Sequence, residues 1–152
     1  MAEIRVEVEE VTQEESDGIE RAFRRAGFDV RPEPSKKVSR GVELPPTWVV
    51  EVYVGWKILQ PFFDSFLAEA GKDSYAAFKQ CVQELFGTFG ERPGFIRVID
   101  ADGALIEIPN EIPDEAPEAL RHIDWSQPLP RDIFWSPRRR EWLSPFDDPS
   151  AF

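Results

Sequence analysis

Trp48–Val54 reads WVVEVYV, and the fold class turns on this stretch. Six of its seven residues are β-branched or aromatic, and apolar side chains fall on both sides of the strand alternation, interrupted only by Glu51. Such a run suits burial on both faces, so it predicts a central strand. Gly55 ends it.

The period changes just downstream. Across residues 56–70, polar Lys57, Gln60 and Asp64 form a narrow stripe, while Ile58, Leu59, Phe62, Phe63, Phe66 and Leu67 cover the remainder. That pattern predicts a helix buried on most sides, with Pro61 tolerated near its start or at a kink. Gly71 breaks it. Ser74 is expected to cap a second helix carrying Tyr75, Phe78, Val82 and Leu85 on one face, closed by Gly87. Phe62, Phe63 and Phe66 should pack on the sheet that holds Val50, Val52 and Val54.

Upstream, Ile4, Val6 and Val8 alternate with Glu3, Arg5, Glu7 and Glu9, which predicts a half-buried strand. Thr12 and Glu15 have capping-box spacing, ahead of Ile19, Ala22, Phe23 and Ala26 at helical intervals and Gly27 at the helix end. Residues 28–31 read as a second strand. Pro32 and Pro34 cannot donate to a ladder, so it must be short or at an edge. Residues 32–46 read as a surface loop.

Toward the C-terminus, residues 95–100 and 105–108 read as strands joined by the hairpin dipeptide Asp102-Gly103. Pro113 opens a short helix whose Ala116, Ala119, Leu120 and Ile123 share a face. Residues 125–152 hold five of the fourteen Pro and three of the five Trp, and residues 133–135 and 141–143 suit a terminal hairpin. The expectation is an α+β fold: a mainly antiparallel sheet with helices on one face, a ferredoxin-like core as the candidate arrangement, and a Pro/Trp-rich C-terminal extension. Residues 1–124 would form the domain, with 125–152 docked on it or, as the second choice, on another chain.

The chain has 152 residues, 41% of them apolar, with twelve Phe and five Trp, enough for one core. No secretory signal is visible, and residues 49–67 are too often interrupted by polar groups to span a membrane. Thirteen Arg against five Lys is a bias common in GC-rich bacterial genomes. A cytoplasmic bacterial protein is expected.

No motif assigns catalysis. His122 lies near a helix end, beside Arg121 and before Asp124, where a cation suits the helix dipole. No nucleophile signature accompanies it. Cys81, between Phe78 and Leu85, reads as small core filler. The stretch from Asp100 starts like a calcium loop with Glu111 at its twelfth position, but Ala104 and Leu105 stand where an oxygen ligand and a glycine are needed. Residues 87–94 (GTFGERPG) follow a helix and precede a strand, the reverse of a phosphate loop. A single Cys and a single His exclude multi-Cys or multi-His zinc sites. No cofactor or metal is expected.

Charge is the stronger signal. Twenty-nine acidic residues against eighteen basic ones give −11, which suits solubility or a basic protein partner rather than nucleic acid. Eight carboxylates and one Arg fall within residues 3–20, and Glu107, Glu111, Asp114, Glu115 and Glu118 form a second acidic group. Arg138, Arg139 and Arg140, flanked by Trp135 and Trp142, resemble a basic-aromatic patch. The carboxylates of Asp124, Asp132, Glu141, Asp147 and Asp148 count against nucleic acid there. Trp125, Trp135, Trp142, the three Arg and the second acidic group are the interface candidates. The expected function is non-enzymatic: an inhibitor, immunity-like protein or accessory subunit that binds a basic protein. The alternatives are a carboxylate-dependent hydrolase and a small-ligand binding module.

Overall fold

A computed structural model describes residues 4–35, 47–68 and 71–152. Glu3 of the expected first alternation, residues 36–46 of the expected loop and residues 69–70 lie outside them. Among the described residues, seven strands form one sheet: β1 (Ile4–Glu9), β2 (Glu33–Pro34), β3 (Trp48–Val54), β4 (Gly94–Ile99), β5 (Leu105–Pro109), β6 (Ile133–Ser136) and β7 (Glu141–Leu143). The helices are α1 (Gln13–Arg25), α2 (Gln60–Asp64), α3 (Ser74–Phe89) and α4 (Glu115–Ala119). Strand order is β2-β1-β3-β4-β5-β6-β7, so β3 sits inside the sheet, as its composition demands.

The sheet is mixed, which corrects the expectation of a mainly antiparallel one. The pairs β1–β2, β3–β4 and β5–β6 are parallel, and β1–β3, β4–β5 and β6–β7 are antiparallel. Connectivity explains this. α1, the α2–α3 pair and α4 each join two strands that end up side by side, and a helical crossover returns the chain in its original direction. The order does not establish a ferredoxin-like core.

Register fixes the two faces. Val6, Val52, Val98, Ile106 and Ile133 lie in one row across five strands, all buried. Ile19 and Phe23 of α1, Phe62 and Phe63 of α2, Phe78 and Leu85 of α3 and Ala116 of α4 join these residues in one core cluster. The helices therefore cover this face. Phe66, beyond α2, is buried in the same cluster, with Val50, Val52 and Val54.

Local chemistry sets the ends. The Thr12–Glu15 capping box forms, and Gly27 (φ 99°) leaves α1 in the left-handed region. Residues 56–70 do not make one helix; α2 starts with Pro61 in its first turn and stops at Asp64. Ser65 Oγ donates to the Phe62 carbonyl at 2.6 Å, and the Leu67 N–H donates to Ala26 at 3.1 Å, pulling the chain out of helix toward the end of α1. Asp73, not Ser74, caps α3, accepting from the Ala76 N–H at 2.8 Å. α3 also runs past Gly87 to Phe89, whose ring stacks 3.9 Å from Trp48. That packing outweighs the weak helix preference of one glycine. The expected strand at 28–31 is displaced to the two residues of β2, at the sheet edge.

Gly94 faces Trp48 across β3–β4, and a Cβ there would stand 2.1 Å from the indole ring. The indole cannot retreat easily: it is fully buried, and its N–H donates to the Arg92 carbonyl at 2.9 Å. Gly94→Ala should therefore cost at least ~1–3 kcal/mol by overpacking. Denaturant unfolding checks this; a midpoint unchanged from wild type would contradict the packing described.

Residues 125–152 supply β6 and β7 to the common sheet. Trp125, Trp135 and Trp142 are buried in the main cluster, and the Trp125 and Trp142 N–H groups donate to the Leu120 and Ala116 carbonyls, each at 2.8 Å.

Candidate functional site

The opposite side of the sheet carries a different row. Glu7, Glu51, Arg97, Glu107 and Phe134 lie opposite one another across β1, β3, β4, β5 and β6. Glu7 and Glu51 are buried, while Arg97 and Glu107 are half-buried and paired, Nε to Oε1 at 2.8 Å. Arg97 also lies 5.7 Å from the Phe95 ring centroid, and Arg5 lies 4.5 Å from that of Tyr53.

At the β4–β6 end, strand alternation places Phe95, Glu107, Pro109 and Phe134 on this same side. The C-terminal segment folds back to complete the site. Ser136 Oγ donates to the Ala151 carbonyl at 2.6 Å, Arg138 donates to the Ser150 carbonyl at 2.9 Å, and Arg139 pairs with Asp148 at 2.7 Å. These ties bring Phe152 edge-on to Phe134, with centroids 6.5 Å apart. The result is an open groove of about 450 Å³ lined by Phe95, Glu107, Pro109, Phe134, Trp135, Pro137, Pro145 and Phe152. Phe152 is 44% exposed, and nearby in sequence Phe146 is 69% exposed. Among the described residues, Glu107 is the one charged side chain in the lining.

No family model matches this chain, and no curated protein or solved structure matches it.

The interface candidates separate into distinct surroundings. Glu107 lines the groove; Trp135 borders it but is buried, its side chain in the core cluster on the helix-covered side. Glu111 and Asp114 are exposed, without an ion pair among the described residues. Glu115 receives a two-pronged contact from Arg140, at 2.8 and 2.6 Å, and Glu118 pairs with Lys79 and Arg121. Arg138, Arg139 and Arg140 are all exposed, yet each clasps another part of the chain. The acidic and basic clusters of the sequence thus partly neutralise each other. Trp125 and Trp142 are core residues, out of reach of a partner.

The groove residues Phe95, Pro109, Phe134, Pro137, Pro145 and Phe152 were not singled out by sequence. Period two around the Asp102-Gly103 turn was a usable signal for Phe95, Glu107 and Pro109. Nothing local signals the return of residues 145–152 onto β6.

His122 is exposed, with no hydrogen-bond or ion-pair partner among the described residues. Cys81 is buried, its Sγ 3.9 Å from the Ala22 carbonyl, and burial pushes its thiol up to about 12, far from a nucleophile's range. Asp100 Oδ1 accepts the Asp102 and Ala104 N–H groups at 2.9 and 3.0 Å, which makes it a turn residue. Among the described residues, no three His, Cys, Asp or Glu gather as metal ligands, and no helix is long and apolar enough to cross a membrane.

Proposed function

We propose that this chain is a small acidic interaction protein that acts by binding another protein with a basic surface. In this reading it serves as an inhibitor, immunity-like protein or accessory subunit in the bacterial cytoplasm, and performs no chemistry of its own. The supporting observation is the groove on the side of the sheet away from α1, α2, α3 and α4. Half-buried Phe95 and Phe134 and exposed Phe152 meet at this concavity, and aromatic side chains in a hollow are the composition of interface anchors. The charge of −11 favours a basic partner through steering.

The test is affinity capture with the full chain, identification of the captured protein, and a binding comparison with purified components. Phe152→Ala removes an exposed groove ring with little cost to the core. It should weaken the complex at least about tenfold, as anchors at interface centres do. Equal binding by wild type and variant would reject the groove as the binding face.

A second reading has one observation in its favour. The groove's volume, about 450 Å³, falls within the range of small-molecule sites, roughly 300–1,000 Å³. A small molecule that raises the melting temperature of wild type but not of Phe152→Ala would favour this reading over a protein partner.

A further inference from the structure

We infer that the groove receives an arginine side chain from the partner protein, an inference that rests on the protein-binding reading above. Charge singles out this concavity. Three hollows along α1 and α3 each carry both signs: Arg25, Lys72 and Glu84 in one, Arg21, Arg25 and Glu84 in another, and Arg21 with Glu14 and Glu15 in the third. Among the described residues, the groove lining has one charged side chain, Glu107, beside the rings of Phe95, Phe134 and Phe152. A carboxylate among aromatic faces is complementary to an organic cation.

The neighbouring residue shows the chemistry already at work. Arg97 donates from Nε to Glu107 Oε1 at 2.8 Å and lies 5.7 Å from the Phe95 centroid, but does not line the groove. Glu107 Oε2 has no partner among the described residues, which leaves one acceptor for an incoming donor. Pro109, Pro137 and Pro145 offer apolar surface to the aliphatic stem of such a side chain. Arginine suits the site better than lysine, because its planar guanidinium stacks on rings while donating sideways to a carboxylate.

Arg97 is then a competitor as well as a neighbour. It occupies one oxygen of Glu107 and places a like charge beside the incoming cation. Its removal should tighten arginine binding, whereas removal of Glu107 should weaken it. A purely apolar groove would show neither effect.

The probe is N-acetyl-arginine methylamide, titrated into the full-length chain by NMR, with the neutral citrulline analogue alongside. The expected result is movement of the Phe95, Phe134 and Phe152 ring resonances, with arginine preferred over citrulline at least about fivefold. Glu107→Gln, close in shape to the native side chain, should abolish that preference, and Arg97→Gln should strengthen arginine binding about threefold. Equal binding of citrulline, an undiminished preference in Glu107→Gln, or weaker binding in Arg97→Gln would each overturn the inference. Its failure is distinct from failure of the binding reading. A partner lost on Phe152→Ala while the probe shows no arginine preference removes only the arginine assignment.

Discussion

Phe63→Ala is expected to destabilise the protein by ~3–5 kcal/mol, the range for deleting a fully buried aromatic ring. Phe63 is completely buried, and its ring lies 5.3 Å from Phe62, 5.2 Å from Tyr75, 5.1 Å from Phe78 and 4.8 Å from Trp125. It therefore joins α2, α3 and the segment after α4. No one neighbour can fill the space left, because each is held by the others. Phe146→Ala is the matched control: Phe146 is 69% exposed, so its loss should fall within about 0.5 kcal/mol of zero. Denaturant unfolding of the two variants checks the contrast. A Phe63→Ala cost below about 1 kcal/mol would place the core elsewhere.

Trp142→Ala should cost a similar ~3–5 kcal/mol, for a second reason added to lost packing. Trp142 is 8% exposed, stands 5.6 Å from Trp135, and donates its N–H to the Ala116 carbonyl at 2.8 Å. The variant loses the ring and removes that partner of the Ala116 carbonyl. It also reports on cooperativity. With β6 and β7 in the common sheet, the loss should lower the protection of β3 amides in hydrogen exchange, as well as that of β7. Unchanged protection in β3 would show that residues 125–152 open independently of the remainder.

Much of the local structure was legible because its causes are local. The capping box at Thr12 and Glu15, the turn at Asp102-Gly103 and the two-faced composition of β3 each sit within a few residues of what they specify. Strand pairing was less legible. Whether β4 lies parallel or antiparallel to β3 depends on how α2 and α3 cross the sheet, and no period in either strand records that. The end of α2 was missed because a contact from Leu67 to Ala26, far apart in sequence, competes with helix continuation. The site was legible only in part, for the same reason. Glu107 was named as a carboxylate, but its ring neighbours come from β4, β6 and the returning C-terminal segment. Glu115 and Arg140 were assigned to separate clusters, and the fold joins them.

Charge-guided binding of a basic protein is tested most directly by the association rate of the purified partner, measured by surface plasmon resonance across a salt series. The rate should fall steeply as salt rises, as screening shortens to ~8 Å at physiological ionic strength and further beyond it. Dissociation should change far less with salt and accelerate in Phe152→Ala, which removes an anchor rather than a steering charge. An association rate flat with salt would contradict electrostatic recognition and leave only an apolar contact at the groove.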